Sequence, residues 1–247
     1  MIALAAFLIL SAPQNQEITT YTVDGVSRQA TIYAPSVKTA KPPLVFGFHG
    51  HGGNMRNAAR SFQMHELWPE AVVVYLQGLP TVGRLSDPKG EKNGWQHKAG
   101  DNGDRDLKFF DAVYARMIRE FKADPNRVYA MGHSNGGAFS YLLWAQRGDF
   151  FAAFGPSGAV ASAYRGQLKP KPAFIVMGEE DQLVRPIAQT MGIRYVKNLN
   201  GVDGDTKMGT LKGTKADLGL YIYPGNHTYP KEANKPMVEF FKEHARS

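Results

Sequence analysis

Short, continuous apolar runs recur along the chain, and each ends at a polar or glycine-rich segment. They lie at residues 44–48, 71–75, 128–131, 150–154, 173–177 and 218–223. Runs of about four to eight apolar residues without alternation are typical of strands covered on both faces, as in a parallel sheet. Residues 18–33 instead alternate around Asp24-Gly25, which predicts an antiparallel hairpin.

Helical stretches separate these predicted strands. One helix is expected around residues 58–65, a second from Leu107 to Phe121 with Asp106 as its cap, and a closing helix within 231–246. Alternating strands and helices predict an α/β fold with a mostly parallel central sheet, helices on both faces and an N-terminal antiparallel hairpin. Residues 78–105 form a long loop, which in a compact domain is usually functional or mobile.

Composition narrows the possible function classes. The 247 residues are 43% hydrophobic, which is ample for one core, and we assign residues 13–247 to a single catalytic domain. The net charge is +7, but lysine and arginine are interspersed with acidic residues, so a solvated surface is favoured over a nucleic-acid partner. The absence of cysteine from the sequence excludes disulfides, thiolate zinc sites and CxxC redox chemistry.

Residues 1–10 are apolar and are followed by Ser11-Ala12-Pro13. The run is too short to span a bilayer, and it fits the apolar core and small-residue exit of a signal peptide. We therefore predict a signal peptide at 1–12, a secreted or periplasmic protein and no stable membrane insertion. No basic residue precedes the run, so a misassigned start or a buried first element is the alternative.

The segment Gly132-His133-Ser134-Asn135-Gly136-Gly137 lies between a predicted strand and a predicted helix. This is the G-x-S-x-G pattern of a nucleophile elbow in its expected strand–turn–helix setting. The alternative is a turn that only links the two elements. If the turn is catalytic, Ser134 is the nucleophile, and it needs a base that titrates near neutrality.

Two of the seven histidines lie late enough for the nucleophile–acid–base order of such enzymes, His227 and His244. His227 follows a buried strand, whereas His244 lies in a charged tail and is expected at the solvated surface. The acid should orient the imidazole and stabilise its charged form. Asp181 follows the strand at 173–177, which makes it the preferred candidate. Glu179 and Glu180 are alternatives one or two residues away, and Asp203 and Asp205 lie in a glycine-rich loop.

An ester hydrolase also needs two donors for the negatively charged oxygen of its intermediate. The backbone N–H of Asn135 is one, because it opens the helix after the elbow. The second is assigned to the backbone N–H of His51 within His49-Gly50-His51-Gly52-Gly53, with Gly52 as the fallback. No third ligand accompanies His49 and His51, so no metal site is predicted. Asp101, Asp104 and Asp106 lack the spacing of a calcium loop and are expected in a solvated turn.

Five segments resemble the polyhydroxybutyrate depolymerase / feruloyl esterase family of secreted α/β-hydrolases, at residues 48–54, 124–129, 132–137, 178–184 and 225–230. The resemblance covers about residues 18–242, and its most specific parts are the Ser-Asn-Gly-Gly elbow and the His227-Thr228-Tyr229-Pro230 segment. It implies a serine esterase with Ser134, Asp181 and His227 as its triad. The family's Gly-Trp matches Gly94-Trp95, which the resemblance places beside the substrate cleft.

The sequence therefore predicts a carboxylic-ester hydrolase that works through an acyl-enzyme on Ser134 without a cofactor. Its partner is a small or polymeric ester, either of the hydroxyalkanoate type or a feruloyl or acetyl ester of the plant cell wall. Part of the substrate is expected to stack on Trp95 or Tyr229, although both can equally be core or loop anchors. Two alternatives remain: a serine peptidase of the prolyl-oligopeptidase type, and a silent binding protein on a hydrolase scaffold.

Overall fold

The computed structural model describes residues 16–83 and 85–246. Its strands in chain order are β1 Gln16–Val23, β2 Val26–Tyr33, β3 Leu44–Phe48, β4 Val72–Leu76, β5 Leu79–Pro80, β6 Asn93–Gly94, β7 Val128–His133, β8 Ala153–Ser157, β9 Ala173–Gly178, β10 Met208–Leu211 and β11 Leu218–Tyr223. The α-helices are α1 Met55–Phe62, α2 Met64–Leu67, α3 Arg105–Glu120, α4 Asn135–Arg147, α5 Pro186–Asn200 and α6 Asn234–Lys242.

Nine strands form one sheet in the order β1-β2-β4-β3-β7-β8-β9-β11-β10. The neighbouring central strands pair in parallel; these are β4, β3, β7, β8, β9 and β11 in sheet order. The β1–β2 hairpin and β10 extend the two edges with antiparallel pairing. The predicted mostly parallel sheet with an N-terminal hairpin is confirmed. In a sheet of this kind, functional groups collect at the carboxyl ends of the strands.

Helices cover both faces of the sheet, and each face has its own apolar core. One core joins Phe46 and Ala130 to α3 and α4 through Phe110 and Phe139. The other joins Val45, Tyr129 and their neighbours to α1 and α6. Within the described ranges, no helix combines the length and apolar character needed to cross a membrane. The predicted signal peptide at 1–12 lies outside the described residues.

Several predicted boundaries were wrong by a few residues. The first helix begins at Met55 because Asn54 caps it, accepting a hydrogen bond from Asn57 N at 2.9 Å. The strand predicted at 150–154 begins only at Ala153, since residues 148–150 form a 3₁₀ turn. The closing helix is shorter than predicted and is preceded by a 3₁₀ turn at Lys231–Ala233.

Asp106 is not the cap of α3. It lies inside the first turn, where the side chains of Asp106 and Arg28 are both fully buried and pair at 2.7 Å. Its second oxygen accepts a hydrogen bond from Gln96 N at 2.8 Å. The expectation of a solvated turn is therefore wrong for Asp106, because its charge is used to join α3, β2 and the long loop at 78–105.

Candidate active site

The candidate groups follow strands that lie side by side in the sheet. Ser134 follows β7, Asp181 follows β9 and His227 follows β11, while the glycine-rich segment at 49–53 follows β3. The carboxyl ends of parallel strands share one edge of a sheet, so these groups meet although up to 178 positions separate them in the chain.

Ser134, His227 and Asp181 form a continuous hydrogen-bonded array. Ser134 Oγ lies 2.7 Å from His227 Nε2, and His227 Nδ1 lies 2.7 Å from Asp181 Oδ2. A carboxylate only accepts, so Nδ1 of His227 carries the proton and Nε2 is free to accept the hydroxyl proton of Ser134. The array has the relationships needed to activate a serine nucleophile.

Asp181 is held in its ionised form by several donors. Burial alone would raise its pKa, but hydrogen bonds from His227, Val184 N and Leu183 N together lower the pKa of Asp181 below its ordinary value. Gln189 Nε2 adds a further bond at 3.0 Å. The neighbouring carboxylates lie elsewhere, because Glu180 is exposed and Glu179, also exposed, pairs with Lys207 at 2.6 Å.

The glycines on either side of Ser134 are required by close backbone approach. A Cβ at Gly132 would lie 2.4 Å from Gly136 O, and one at Gly136 would lie 2.1 Å from Phe48 O. Ser134 itself has φ 58° and ψ −120°, a strained conformation for a residue with a side chain. The strain presents the hydroxyl at the apex of the turn between β7 and α4.

The two predicted oxyanion donors lie at the same cleft. Asn135 is the first residue of α4, where backbone N–H groups lack partners within the helix, and His51 lines the cleft beside it. Gly52, the fallback donor, is engaged elsewhere, since its N–H donates to Asn93 O at 2.7 Å. The geometry therefore favours His51 over Gly52.

The His51 side chain is fixed by a residue that the sequence did not single out. Nε2 of His51 lies 3.0 Å from Asp87 Oδ2, and the same oxygen accepts a hydrogen bond from Lys92 N. The ring fits tightly beside Gly83 and Gly94, where an added Cβ would lie 2.6 Å from a ring nitrogen. Asp87 thus ties the long loop to the glycine-rich loop.

Trp95 does not provide the predicted stacking surface. Its side chain is 0% exposed, stacks on Phe139 with 5.1 Å between ring centroids, and donates from Nε1 to His49 O at 2.8 Å. Tyr229 packs edge-on against Phe62 and donates to Asn234 Oδ1 at 2.7 Å. Trp95 is a core anchor beneath the glycine-rich loop, and Tyr229 is an anchor of the loop that carries His227.

A cleft of about 410 Å³ opens over Ser134. One wall comes from the long loop through Leu85 and Ser86, and the opposite wall from Leu183 and Val184. The remaining lining includes small apolar side chains at Ala138, Ala159, Val160 and Ala163, together with the polar rings of His97 and Tyr164. Residues 199–217 contribute no side chain to the lining of this cleft.

The remaining histidines have structural partners. His49 accepts a hydrogen bond from Gly78 N at 3.0 Å and lies 2.8 Å from Gly50 O, so both of its nitrogens are engaged within the loop. His244 is not at the solvated surface as predicted, because its ring lies 3.1 Å from Asp217 Oδ2 and packs on Phe240. Across residues 16–83 and 85–246, no group of three potential ligands could hold a metal ion.

The chain resembles known hydrolases in sequence and in fold. Residues 83–170 match the prolyl oligopeptidase family. "Probable feruloyl esterase C" of Aspergillus clavatus is 29% identical over 74% of this chain and 69% of its own length. Feruloyl esterase D of Neurospora crassa is 26% identical over 75% of this chain and 64% of its own length. The chain is therefore similar in sequence to fungal feruloyl esterases.

A solved structure of a ferulic acid esterase has the same fold as this chain. The TM-score is 0.67 at 14% identity, with 93% of this chain and 99% of that chain covered. The chain resembles esterases in these comparisons, which supports the predicted reaction class of carboxylic-ester hydrolases. It spans 69% and 64% of the lengths of the two fungal relatives.

Proposed function

We propose that this α/β-hydrolase cleaves carboxylic esters through an acyl-enzyme on Ser134, with His227 as base and Asp181 as acid. The observation that carries the proposal is the hydrogen-bonded array from Ser134 Oγ through His227 to Asp181, with 2.7 Å at each step, at the floor of an open cleft. A binding protein has no need of a strained serine joined to a correctly protonated imidazole.

The reaction follows from the proton positions. Ser134 Oγ attacks the ester carbonyl carbon while its proton passes to His227 Nε2. The carbonyl oxygen becomes negatively charged and is stabilised by the backbone N–H groups of Asn135 and His51. The bond to the alcohol oxygen then breaks, and His227 gives that oxygen the proton. Water, activated by His227, releases the acid and restores Ser134.

The cleft suits an ester with an apolar or aromatic portion. Seven of the eighteen lining residues are alanine, valine or leucine, and these side chains offer van der Waals contact rather than charge recognition. We assign the substrate to feruloyl or acetyl esters of plant cell walls, or to hydroxyalkanoate polyesters. The names of the fungal relatives favour the feruloyl class. Export through a signal peptide at 1–12 stays a prediction.

The direct test compares the wild type with Ser134→Ala. Both proteins are given short-chain p-nitrophenyl esters, methyl ferulate, acetylated xylan and a hydroxybutyrate oligomer. We expect ester cleavage by the wild type and a loss of at least about 10⁴-fold in kcat for the alanine variant. Equal cleavage by the two proteins would exclude Ser134 as the nucleophile.

A peptidase of the prolyl-oligopeptidase type is the second candidate, because residues 83–170 match that family. A peptide p-nitroanilide and the matching p-nitrophenyl ester, with the same acyl group, separate the two functions. We expect the ester to be preferred, since the cleft is open and the described residues contain no second domain over it. A kcat/KM for the anilide equal to that for the ester would favour the peptidase.

A further inference from the structure

His133 joins the segment that carries the nucleophile to the segment that carries the base. It is the last residue of β7, directly before Ser134, and its Nε2 lies 2.8 Å from the main-chain oxygen of His227. Its Nδ1 lies 3.0 Å from Ser157 Oγ on the neighbouring strand β8. His133 therefore links its own strand β7, the neighbouring strand β8 and the segment that carries His227. These three segments must keep their relative positions during the reaction.

The protonation state of His133 follows from its partners. A main-chain oxygen only accepts, so Nε2 of His133 carries a proton and donates it to His227 O. In the neutral ring, Nδ1 then accepts the hydroxyl proton of Ser157. Burial, followed by the neighbouring charge of His227, lowers the pKa of His133 to about 4, so the ring is neutral where a serine hydrolase works.

Packing leaves the His133 ring little room to move. Its centroid lies 4.8 Å from that of His227 and 5.7 Å from that of Tyr229. Gly158 makes space for both imidazoles, because an added Cβ there would lie 2.9 Å from His133 Cε1 and 3.2 Å from His227 Cε1. The titratable groups around the His133 ring are His227, Tyr229 and, more distantly, Asp181.

Apart from the array itself and the bond from His133, the hydrogen bonds of the His227 segment stay within the segment or lead to the loop after β9, where Glu180 N donates to Gly225 O at 2.9 Å. Tyr223 Oη donates to Asn226 O at 2.8 Å, and Thr228 N donates to Asn226 Oδ1 at 2.9 Å. These contacts fold the segment on itself and hold it against the loop after β9, but none of them reaches the turn that carries Ser134. The bond from His133 does, because residue 133 is covalently joined to the nucleophile.

We infer that His133 is a positioning residue, which holds the main chain of His227 in register with Ser134 so that the base stays within hydrogen-bonding distance of the hydroxyl. The inference rests on the proposed function and adds to it a second histidine, which positions the base. A displacement of about 1 Å between reacting groups can cost on the order of 10²-fold in rate. The effect should fall on kcat more than on KM, because both ring nitrogens of His133 are bonded to protein groups although the residue lines the cleft.

Two amides distinguish the two bonds of the ring. In His133→Gln the side-chain amide nitrogen falls near the position of Nε2 and can still donate to His227 O. In His133→Asn the shorter amide reaches the position of Nδ1 and Ser157 only. We expect His133→Gln to keep kcat within about threefold of the wild type and His133→Asn to lose roughly 10- to 100-fold, with KM for p-nitrophenyl acetate unchanged in both.

His244→Gln is the matched control, since it changes a histidine that also contacts a main-chain oxygen, Phe240 O at 2.7 Å, far from the cleft. It should retain the wild-type kcat. Thermal unfolding of all variants measures whether the fold is retained. The strongly deshielded ¹H NMR signal of the His227–Asp181 hydrogen bond measures whether the array is intact. We expect this signal in His133→Gln and its broadening in His133→Asn at similar melting temperatures.

The outcomes separate the inference from the proposed function. If His133→Asn and His133→Gln have the same kcat as the wild type while Ser134→Ala is inactive, the positioning role is wrong and the serine mechanism stands. If kcat falls equally in both amide variants in proportion to their melting temperatures, His133 is only structural. If Ser134→Ala keeps its activity, the proposed mechanism itself fails.

Discussion

The side-chain amide of Asn135 makes two hydrogen bonds with the backbone of Trp95, one to its N–H and one to its carbonyl oxygen. Asn135 Oδ1 accepts a hydrogen bond from Trp95 N at 2.6 Å, and Nδ2 donates to Trp95 O at 3.1 Å. Trp95 in turn supports the glycine-rich loop through its bond to His49 O. Asn135, directly after the proposed nucleophile, thus fixes the loop that carries the proposed second oxyanion donor.

Replacing Asn135 with alanine should weaken both stability and catalysis. The variant keeps its backbone N–H but leaves two buried groups of Trp95 without partners, which costs about 1–3 kcal/mol each in the free energy of unfolding. The glycine-rich loop should loosen, and kcat should fall at least roughly tenfold. Urea unfolding and ester hydrolysis measure the two effects.

Asn200→Ala provides a matched control for that variant. Asn200 makes the same pair of bonds with the backbone of Lys171, at 3.2 Å and 2.7 Å, away from the cleft. A similar loss of stability with an unchanged kcat is expected. If both variants lose kcat to the same extent, the link from Asn135 through Trp95 to the oxyanion loop is not specific to the site.

The central strands and the candidate triad could be anticipated from the sequence because their signals are local. Buried strands appear as apolar runs, and the elbow glycines appear as a short motif around Ser134. Asp181 and His227 each follow such a run directly. Once the fold class is accepted, the shared edge of a parallel sheet brings them together.

The contacts that stabilise the site could not be anticipated, because they join residues far apart in the chain. Asn135 and Trp95 are 40 positions apart, and Arg28 and Asp106 are 78 apart. Nothing in the local pattern distinguishes a buried Asp106 from a capping aspartate, or a core Trp95 from an exposed stacking surface. These side chains are buried because the long loop packs against the sheet. Local periodicity in the sequence carries no information about that packing.

The choice of Asp181 as acid can be checked against its neighbour. Asp181→Asn keeps the shape of the side chain but removes the charge that stabilises the imidazolium of His227, so kcat should fall on the order of 10³- to 10⁴-fold. Glu180→Gln changes an exposed carboxylate and should leave kcat within about twofold of the wild type. A larger loss for Glu180→Gln in p-nitrophenyl acetate hydrolysis would reverse the assignment.

The buried pair of Arg28 and Asp106 should be a principal determinant of stability. Asp106→Asn leaves the Arg28 guanidinium in the core without a compensating charge, which typically costs about 3–5 kcal/mol. Asp111→Asn is the control on the same helix, because Asp111 pairs with Arg147 at 2.8 Å where both side chains are partly exposed. Its cost should be below about 1 kcal/mol. Equal losses in chemical denaturation would contradict the importance of burial.

Two histidines should make the enzyme sensitive to mild acid. Burial is the main cause that lowers the pKa of both His49 and His133 to about 4, whereas an unfolded histidine has a pKa of about 6.5. Below pH 6.5 the unfolded chain therefore binds protons that the folded chain does not. Stability is fully present above about pH 6.5 and is lost as the pH falls towards 4.

Each of these histidines can remove on the order of 2–3 kcal/mol from the free energy of unfolding across that window. Carboxyl groups with a lowered pKa, such as Asp181, change the free energy of unfolding mainly below about pH 4. They therefore contribute little to its decline between about pH 6.5 and pH 4. Urea unfolding at pH 7.5, 6.5, 5.5 and 4.5 should show a steep decline for the wild type. The decline should be shallower for His133→Gln, which has one titrating group fewer. Parallel curves for the two proteins would mean that His133 binds its proton equally well in the folded and unfolded chains.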